Sequence, residues 1–400
     1  MAAQTSNEQF LDALIRHQIY LIRVAGSLRN KINGILAATE DDLRDAIERR
    51  LQNNKGFDTY SGQRLKVLER LIHNIRQPAW DKVDEAFFAE VDELARYEPE
   101  FTSAAVKAVA PVVLDTIMPS VPRLKAIARA TPMEGRVLKE WASRQRATDL
   151  SRIMSAVQVG MVQGEDSRAI ANRVVGTRQM HKIDGVTEIT RRDADSLTRT
   201  MTNHVSNVSR QEFLRLNDDL FEWEVLHATL DSRTTPQCRA LDGKRFRVGK
   251  GPMPPLHFRC RDVRVAALDG EVLGDRPMKP VTEQMLVREY ARSNGLEGIE
   301  WRKDLPRGSM GRFDQYARGR VRELVGRVPA STTYQQFLER ASSEFQDDVL
   351  GQTRALLFRK GGVTLDRFVD AQGTQINLGN LARIERGAFI KAGLDPGEFQ

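Results

Sequence analysis

The sequence predicts a mainly α-helical protein with one small central α+β module. Long segments rich in Leu, Arg, Glu and Ala carry apolar residues at helical spacing on both sides of the centre. The apolar–polar alternation that is typical of strands lies in residues 221–267. The rare residue types are collected in the same stretch: both cysteines, two of the six histidines and four of the fifteen prolines.

The first region, residues 1–130, is predicted to be helical. Apolar residues such as Ile15, Ile19 and Ile22 recur along one face of the first helix, and similar stripes follow near residues 65–78 and 80–96. We expect Gly26 and Gly34 to break or bend the first helix and Pro78 to end the third. The prolines at 119, 122 and 132 predict a domain boundary near residues 119–135.

The second region, residues 131–270, is predicted to hold the α+β module, with its core motif at 221–267. A long helix at about 186–217 leads into it, and the pattern predicts strands at 221–226, 244–248 and 263–267. Asp242-Gly243 is interpreted as a type I′ hairpin turn, in which both residues have positive φ. The prolines at 252, 254 and 255 predict an extended loop before the last strand.

The third region, residues 271–400, is predicted to be helical. Apolar spacing indicates helices at 283–293, 310–325 and 333–359. Gly361 and Gly362 are expected to end the last of these, because glycine readily adopts the left-handed conformation of a helix C-terminus.

Composition places the chain among globular proteins, and its beginning resembles no signal peptide, which predicts synthesis in the cytoplasm. The net charge is +7, and residues 233–264 contain nine basic but only two acidic side chains. Such a stretch is expected either to contact DNA or an acidic protein partner or to be a solvated basic surface. The candidate contact residues are Arg239, Lys244, Arg245, Arg247, Lys250, Arg259, Arg261 and Arg264.

The candidate metal ligands are His227, Cys238, His257 and Cys260. Zinc is bound tetrahedrally by thiolates and neutral imidazoles, and the His257-x-x-Cys260 spacing suits such a site. A disulfide between Cys238 and Cys260 and simple packing of the two thiols are the alternatives, so no cofactor is required.

Catalytic residues are not assigned. Asp231, Asp242 and His257 are the only set considered as an acid–base group for a hydrolase or nuclease. The structural interpretation is preferred, in which Asp231 caps a turn, Asp242 belongs to the hairpin and His257 packs or forms a hydrogen bond. The sequence therefore favours a protein that is not an enzyme.

The core motif resembles that of the phage Mu F-like minor head proteins, the phage head morphogenesis family. The motif reads D-S-R-T-x-x-x-C-x-x-L-D-G-x-x-F and then P-P-x-H-F-x-C-R. Matching residues are Asp231, Arg233, Thr234, Cys238, Leu241, Asp242, Gly243, Phe246, Pro254, Pro255, His257, Cys260 and Arg261. The family motif usually closes Cys-Arg-Cys, whereas this chain has Cys260-Arg261-Asp262. With weaker similarities upstream and downstream, the resemblance covers roughly residues 135–370.

The resemblance implies a minor capsid protein of a tailed phage, bound in the head at or near the portal. It implies a role in procapsid assembly and a contribution to DNA packaging or ejection. The implied partners are the portal protein, the major capsid or scaffolding protein and the packaged DNA, with no membrane required for assembly. The helical N-terminal region, of which residues 1–100 carry a net charge of −3, suits docking to these proteins. The alternative is a phage-encoded nucleic-acid-processing or toxin-type enzyme.

Overall fold

The computed structural model describes residues 6–52, 61–109, 115–267, 275–296 and 298–399. It is mainly helical with two small antiparallel sheets, which confirms the predicted fold class. The helices before the module are α1 (Ser6–Ala37), α2 (Glu40–Arg50), α3 (Ser61–Val109), α4 (Val121–Ala130), α5 (Leu138–Val162), α6 (Ser167–Val175) and α7 (Val186–Leu216). None of the helices in these ranges is both long and apolar enough to cross a bilayer.

The first and third helices are longer than predicted. α1 continues through Gly26 and Gly34, so the expected break there is wrong. α3 continues through Pro78, which was expected to end it. A proline inside a helix costs about 3 kcal/mol, but burial of large apolar side chains such as Trp80 and Phe87 recovers about 1.5–3 kcal/mol each.

α7 lies at the centre of the helical part. Its residues Leu197, Met201 and Val205 pack in one hydrophobic cluster with side chains of α1 and α3, including Ile32 and Phe87. A long run of α7 is buried on all sides, from Thr198 to Leu214 with the exception of one half-exposed position. The central module packs against this helix, because Phe213 and Leu214 share a hydrophobic cluster with Phe221 and Val265.

The central module contains a three-stranded antiparallel sheet and one short helix. Its elements are β1 (Trp223–His227), α8 (Pro236–Leu241), β2 (Arg245–Arg247) and β3 (Val263–Ala267). The sheet order is β2-β1-β3, so β1 is central and β2 is an edge strand. All three predicted strands are therefore present, with ends that differ by at most two residues.

The turn before β2 differs from the prediction. Asp242 has φ −60° and ψ 130°, and only Gly243 has positive φ, at 78°. These angles, with the Lys244 amide donating to the Leu241 carbonyl at 3.1 Å, define a type II turn. The type I′ hairpin was wrong because α8 lies between β1 and the turn, so the two strands are not joined directly.

The C-terminal part surrounds a second sheet and a separate core. Its elements are β4 (Asp275–Met278), α9 (Glu283–Ser293), α10 (Met310–Leu324), β5 (Gly326–Pro329), α11 (Tyr334–Arg340), α12 (Ser343–Leu350), α13 (Gln352–Leu356), a π-helical turn (Leu357–Gly361), α14 (Leu378–Ile384) and α15 (Arg386–Lys391). Short 3₁₀ turns cover Arg302–Asp304, Arg307–Ser309, Leu365–Phe368 and Pro396–Phe399. β4 pairs antiparallel with β5.

The single helix predicted for 333–359 is wrong. Ser342 caps the start of α12 by accepting a hydrogen bond from the Phe345 amide at 3.2 Å, and Gly351 breaks the helix again with φ 79°. The predicted stop is confirmed, because Gly362 has the left-handed conformation.

The three-region division stays a prediction. Packing crosses both limits: the cluster around α7 joins regions one and two, and Leu230 of the module is buried among C-terminal side chains such as Tyr334 and Phe345. The limit between residues 270 and 271 lies outside the described residues.

Candidate functional site

The turn after β1 is built around the carboxylate of Asp231. Its Oδ1 accepts hydrogen bonds from the amide of Arg233 at 3.0 Å and the hydroxyl of Thr234 at 3.2 Å. Arg261 donates to both oxygens, at 2.6 and 2.8 Å. Burial raises the pKa of Asp231, but the hydrogen bond and charge of Arg261 outweigh it and lower the pKa below its ordinary value. Asp231 thus joins the turn to the strand that follows Cys260.

Asp242 has a similar linking position at the type II turn. Its carboxylate accepts from the amides of Ala228 and Tyr334, each at 2.6 Å, and from two nitrogens of Arg276. Arg276 also donates to the carbonyl of Ala228. The sequence singled out Asp242 but not its partner Arg276, which lies 34 residues further along the chain.

Three of the four candidate metal ligands lie together. The ligand atoms of Cys238, His257 and Cys260 are all within 4.8 Å of one another, and His257 Nε2 is 3.2 Å from Cys238 Sγ. The turn between the last two is closed by the amide of Cys260, which donates to the carbonyl of His257 at 3.1 Å. Cys238 comes from α8, and both thiols are buried.

The fourth candidate, His227, is not part of this cluster. It is the last residue of β1, it is buried near Arg276, and neither ring nitrogen has a hydrogen-bond partner among the described residues. Burial holds its pKa well below the ordinary value for histidine. The position of His227 could not be predicted from its spacing, because ten residues, which include a turn and part of α8, lie between it and Cys238.

Asp262 is a site residue that the sequence analysis did not include. Its side chain is buried beside Cys238, and its Oδ2 has no hydrogen-bond partner among the described residues. The signal was present in the motif, since this is where the resembling proteins usually carry a third cysteine.

Asn203 on α7 positions the loop that carries these residues. Its side-chain amide donates to the carbonyls of Cys260 and Asp262, at 3.0 and 3.3 Å. Thr200, on the same helix, accepts a hydrogen bond from the Arg259 amide at 2.9 Å. The loop is therefore held against the buried part of α7.

The pKa values of the two thiols in this cluster are shifted in opposite directions. The hydrogen bond from Cys238 lowers the pKa of Cys260, and the same contact raises the pKa of Cys238. The pKa of His257 is raised to about 9 by its hydrogen bond to the Cys260 sulfur. Burial raises the pKa of Asp262 well above its ordinary value.

The eight candidate cationic contacts divide into two groups. Arg239 and Arg264 are buried, Arg239 donating to the Val349 carbonyl and Arg264 paired with Glu224 at 2.9 Å. Arg261 is held by Asp231, as described above. The exposed residues are Lys244, Arg245, Arg247, Lys250 and Arg259.

Four of these exposed residues, Lys244, Arg245, Arg247 and Lys250, lie on or beside the edge strand β2 and are called the cationic edge below. Trp223 stacks beneath it, with the guanidinium carbons of Arg245 and Arg247 at 5.4 and 5.0 Å from its ring centre. This contact follows from the strand register, which places Trp223 opposite Arg247.

The remaining motif residues are structural. Leu241 ends α8, and a side chain on Gly243 would meet the Thr333 methyl group at 2.7 Å. Phe246 lies beneath the Arg264 guanidinium at 5.0 Å, and Pro255 is half-buried in the loop before His257. None of these side chains brings a reactive group to the site.

Fold and site together define a mainly helical protein built around a small module whose polar residues chiefly bind one another. Residues 151–264 match the model of the family described as Phage Mu protein F like protein, and this confirms the resemblance for that part of the chain. The match supports, for this segment, a likeness to the Mu F-like phage head morphogenesis proteins. Comparison with curated proteins and with solved structures gave no match.

Proposed function

We propose that this chain is a minor capsid protein of a tailed phage, bound at or near the portal, that acts in procapsid assembly and faces the packaged DNA with its cationic edge. The Mu F-like segment supports the placement in the phage head. The cationic edge supports the contact with DNA.

The contact with DNA is favoured by the state of the exposed cations. In the described part of the chain, Lys244, Arg245 and Lys250 form no ion pair, and Arg247 forms one exposed pair with Glu222 at 3.1 Å. Cationic side chains that are not neutralised within the protein attract DNA phosphates, and their binding releases the counterions condensed on the DNA. The Trp223 ring fixes both guanidinium groups in an outward position at little entropic cost.

The protein-binding part of the proposal concerns the N-terminal helices. On α1, Ile19 and Ile22 are 50% and 55% exposed and lie three residues apart, so they share one face. Large aliphatic side chains at this exposure are suited to burial against a partner. The proposed partners are the portal protein and the major capsid or scaffolding protein.

The proposal of a structural rather than catalytic role is supported by the hydrogen bonds that the acidic residues already accept. Asp231 and Asp242 each accept several internal hydrogen bonds, and His257 faces the thiol of Cys238. A general base needs a free lone pair directed at a substrate proton. Asp231 and Asp242 instead use their oxygens to accept hydrogen bonds within the module.

The DNA contact is tested on the full-length chain by fluorescence anisotropy with a labelled duplex at increasing salt. Arg245→Glu with Arg247→Glu is expected to weaken binding and to reduce the slope of log affinity against log salt by about 2, because each lost phosphate contact changes the slope by roughly 1. Arg312→Glu with Arg322→Glu, on the exposed face of α10, makes the same charge change elsewhere. Equal effects of the two double variants, or no binding by the wild type, would overturn the contact with DNA.

A further inference from the structure

We infer that Cys238, His257, Cys260 and Asp262 bind one structural zinc ion that crosslinks α8 to the loop preceding β3. The site differs from the one expected from sequence in its fourth ligand, which is Asp262 instead of His227. It goes beyond the function proposed above and does not depend on it.

The three nearest groups have the chemistry and spacing that zinc requires. Two sulfurs and one imidazole nitrogen lie within 4.8 Å of one another, and the sulfur and nitrogen ligands of a tetrahedral zinc ion are separated by roughly 3.5–4 Å, given metal–ligand bonds of about 2.0–2.3 Å. Thiolates favour zinc over the harder magnesium and calcium ions. The chain therefore needs only a small adjustment to close around the ion.

The imidazole of His257 is oriented as a metal ligand. Its Nδ1 lies 2.8 Å from the carbonyl of Phe258, which can only accept a hydrogen bond, so Nδ1 carries a proton. Zinc would therefore bind at Nε2 in place of the proton there, and this is the nitrogen that faces Cys238 at 3.2 Å. A histidine that donates one nitrogen to a backbone carbonyl and offers the other to the metal is the usual arrangement in zinc sites.

Asp262 supplies the fourth ligand. Its carboxylate borders the cluster on the side of Cys238, and the buried Oδ2 has no hydrogen-bond partner among the described residues. An unpaired buried carboxylate oxygen costs free energy unless a cation is beside it. The oxygens of Asp262 lie outside the 4.8 Å group formed by the other three ligand atoms, so this side chain would have to move to reach the ion. Carboxylate oxygen is an accepted zinc ligand.

The location explains why a metal would be useful. Among the described residues, the apolar cluster at this point consists of Ala228, Cys238, Cys260 and the half-buried Leu256. The loop from 248 to 262 contains no regular strand or helix. A core of this size supplies little stability. A metal that joins residues 238 and 257, which are 19 positions apart, would replace the missing apolar contacts.

The test measures metal on the wild-type chain, purified under reducing conditions without chelator. Elemental analysis is expected to give one zinc per chain, and removal by a chelator is expected to lower the melting temperature, with recovery on adding zinc. Cobalt in place of zinc is expected to give the visible and near-ultraviolet bands of a tetrahedral site with two thiolates. A chain that neither retains zinc nor binds added zinc or cobalt would overturn the site, as would loss of both free thiols to a disulfide.

Variants then test the ligand set. His257→Ala and Cys260→Ser are expected to abolish the cobalt bands, and Asp262→Asn is expected to weaken zinc binding by more than about tenfold, since even residues behind the ligands contribute that much. His227→Ala is the matched control, because His227 is a buried histidine outside the cluster. A loss of affinity with His227→Ala but not with Asp262→Asn would overturn Asp262 as the fourth ligand. Circular dichroism of each variant separates loss of metal from loss of fold.

Discussion

The carboxylate of Asp242 accepts two hydrogen bonds from the guanidinium group of Arg276, with both nitrogen–oxygen distances at 3.0 Å. Both side chains are buried, and the amides of Ala228 and Tyr334 complete the acceptor capacity of the carboxylate. This one group connects β1, the type II turn, β4 and α11. The module and the C-terminal core are consequently joined by a buried charge pair.

Loss of the charge on Asp242 should be strongly destabilising. Asp242→Asn leaves Arg276 buried without its counter-ion, and breaking a buried pair in this way costs about 3–5 kcal/mol. The free energy of unfolding in urea measures this. Asp314→Asn, at the exposed pair with Arg302, is the control and should cost no more than about 1 kcal/mol. Equal losses for the two variants would contradict the central position of Asp242.

Gly243 tests the geometry of the same turn. Gly243→Ala should be destabilising for two reasons, the positive φ of 78° and the contact of its new methyl group with Cγ2 of Thr333 at 2.7 Å. The backbone conformation alone costs roughly 1–2 kcal/mol. Gly135→Ala isolates that cost, since Gly135 has φ 76° and no atom within 4 Å of the added carbon.

The steric part can be removed separately. Thr333→Ser deletes the methyl group and keeps the hydroxyl that caps α11. In the Thr333→Ser background, Gly243→Ala should therefore cost about the same as Gly135→Ala. Thermal or urea unfolding of the four variants gives the comparison, and an unchanged penalty after Thr333→Ser would show that the turn does not pack against α11 as described.

The sequence predicted the local parts of the module well and its long-range contacts poorly. The strands at 223–227 and 263–267 and the helix at 186–216 follow from short-range apolar periodicity, which is present in the chain itself. The breaks expected at Gly26 and Pro78 did not occur, because burial in the helical core outweighs local propensity.

The site shows the same division. Cys238, His257 and Cys260 could be grouped because thiols and imidazoles are rare in this chain. The partner residues Arg276 and Asn203 could not be predicted, because arginine and asparagine are common in the chain and these two act through contacts with residues far away in the sequence. The basic residues of 233–264 were predicted to form one surface, but Arg239 and Arg264 are buried. The density of charge along the chain does not show which side chains point inward.

A buried histidine of α7 should make stability depend on pH. Burial lowers the pKa of His204 from 6.5 to about 4, and its Nε2 lies 3.1 Å from the Thr131 carbonyl. The neutral ring is favoured in the folded state, so unfolding takes up a proton below pH 6.5. The stability from this residue is complete above pH 6.5 and falls by about 3 kcal/mol as the pH drops to 4.

The measurement compares the free energy of unfolding of the wild type and His204→Gln between pH 7 and 4.5. The difference between the two proteins should become smaller as the pH falls, because the variant has no proton to take up at this position. His73→Gln, at an exposed position on α3, should follow the wild type over the whole range. Parallel curves for the wild type and His204→Gln would show that the ring is not buried in neutral form.

The apolar face of α1 should be needed for attachment to other head proteins. Ile19→Lys with Ile22→Lys is expected to reduce the amount of the chain that is incorporated into heads, because two charges would have to be buried at the contact. Ile384→Lys with Ile390→Lys changes two isoleucines that are 59% and 62% exposed in the C-terminal region and should leave incorporation unchanged. Quantitative mass spectrometry of purified heads measures both, and equal incorporation of the two double variants would contradict docking through α1.

The central claim is that this chain is a structural component of the phage head. Electron cryomicroscopy of DNA-filled heads produced from the genome that encodes it, combined with crosslinking mass spectrometry, tests this most directly. The account predicts a few copies per head, with α1 crosslinked to portal or coat protein and Arg245 and Arg247 toward the DNA. Complete, infectious heads that contain none of this chain would contradict it.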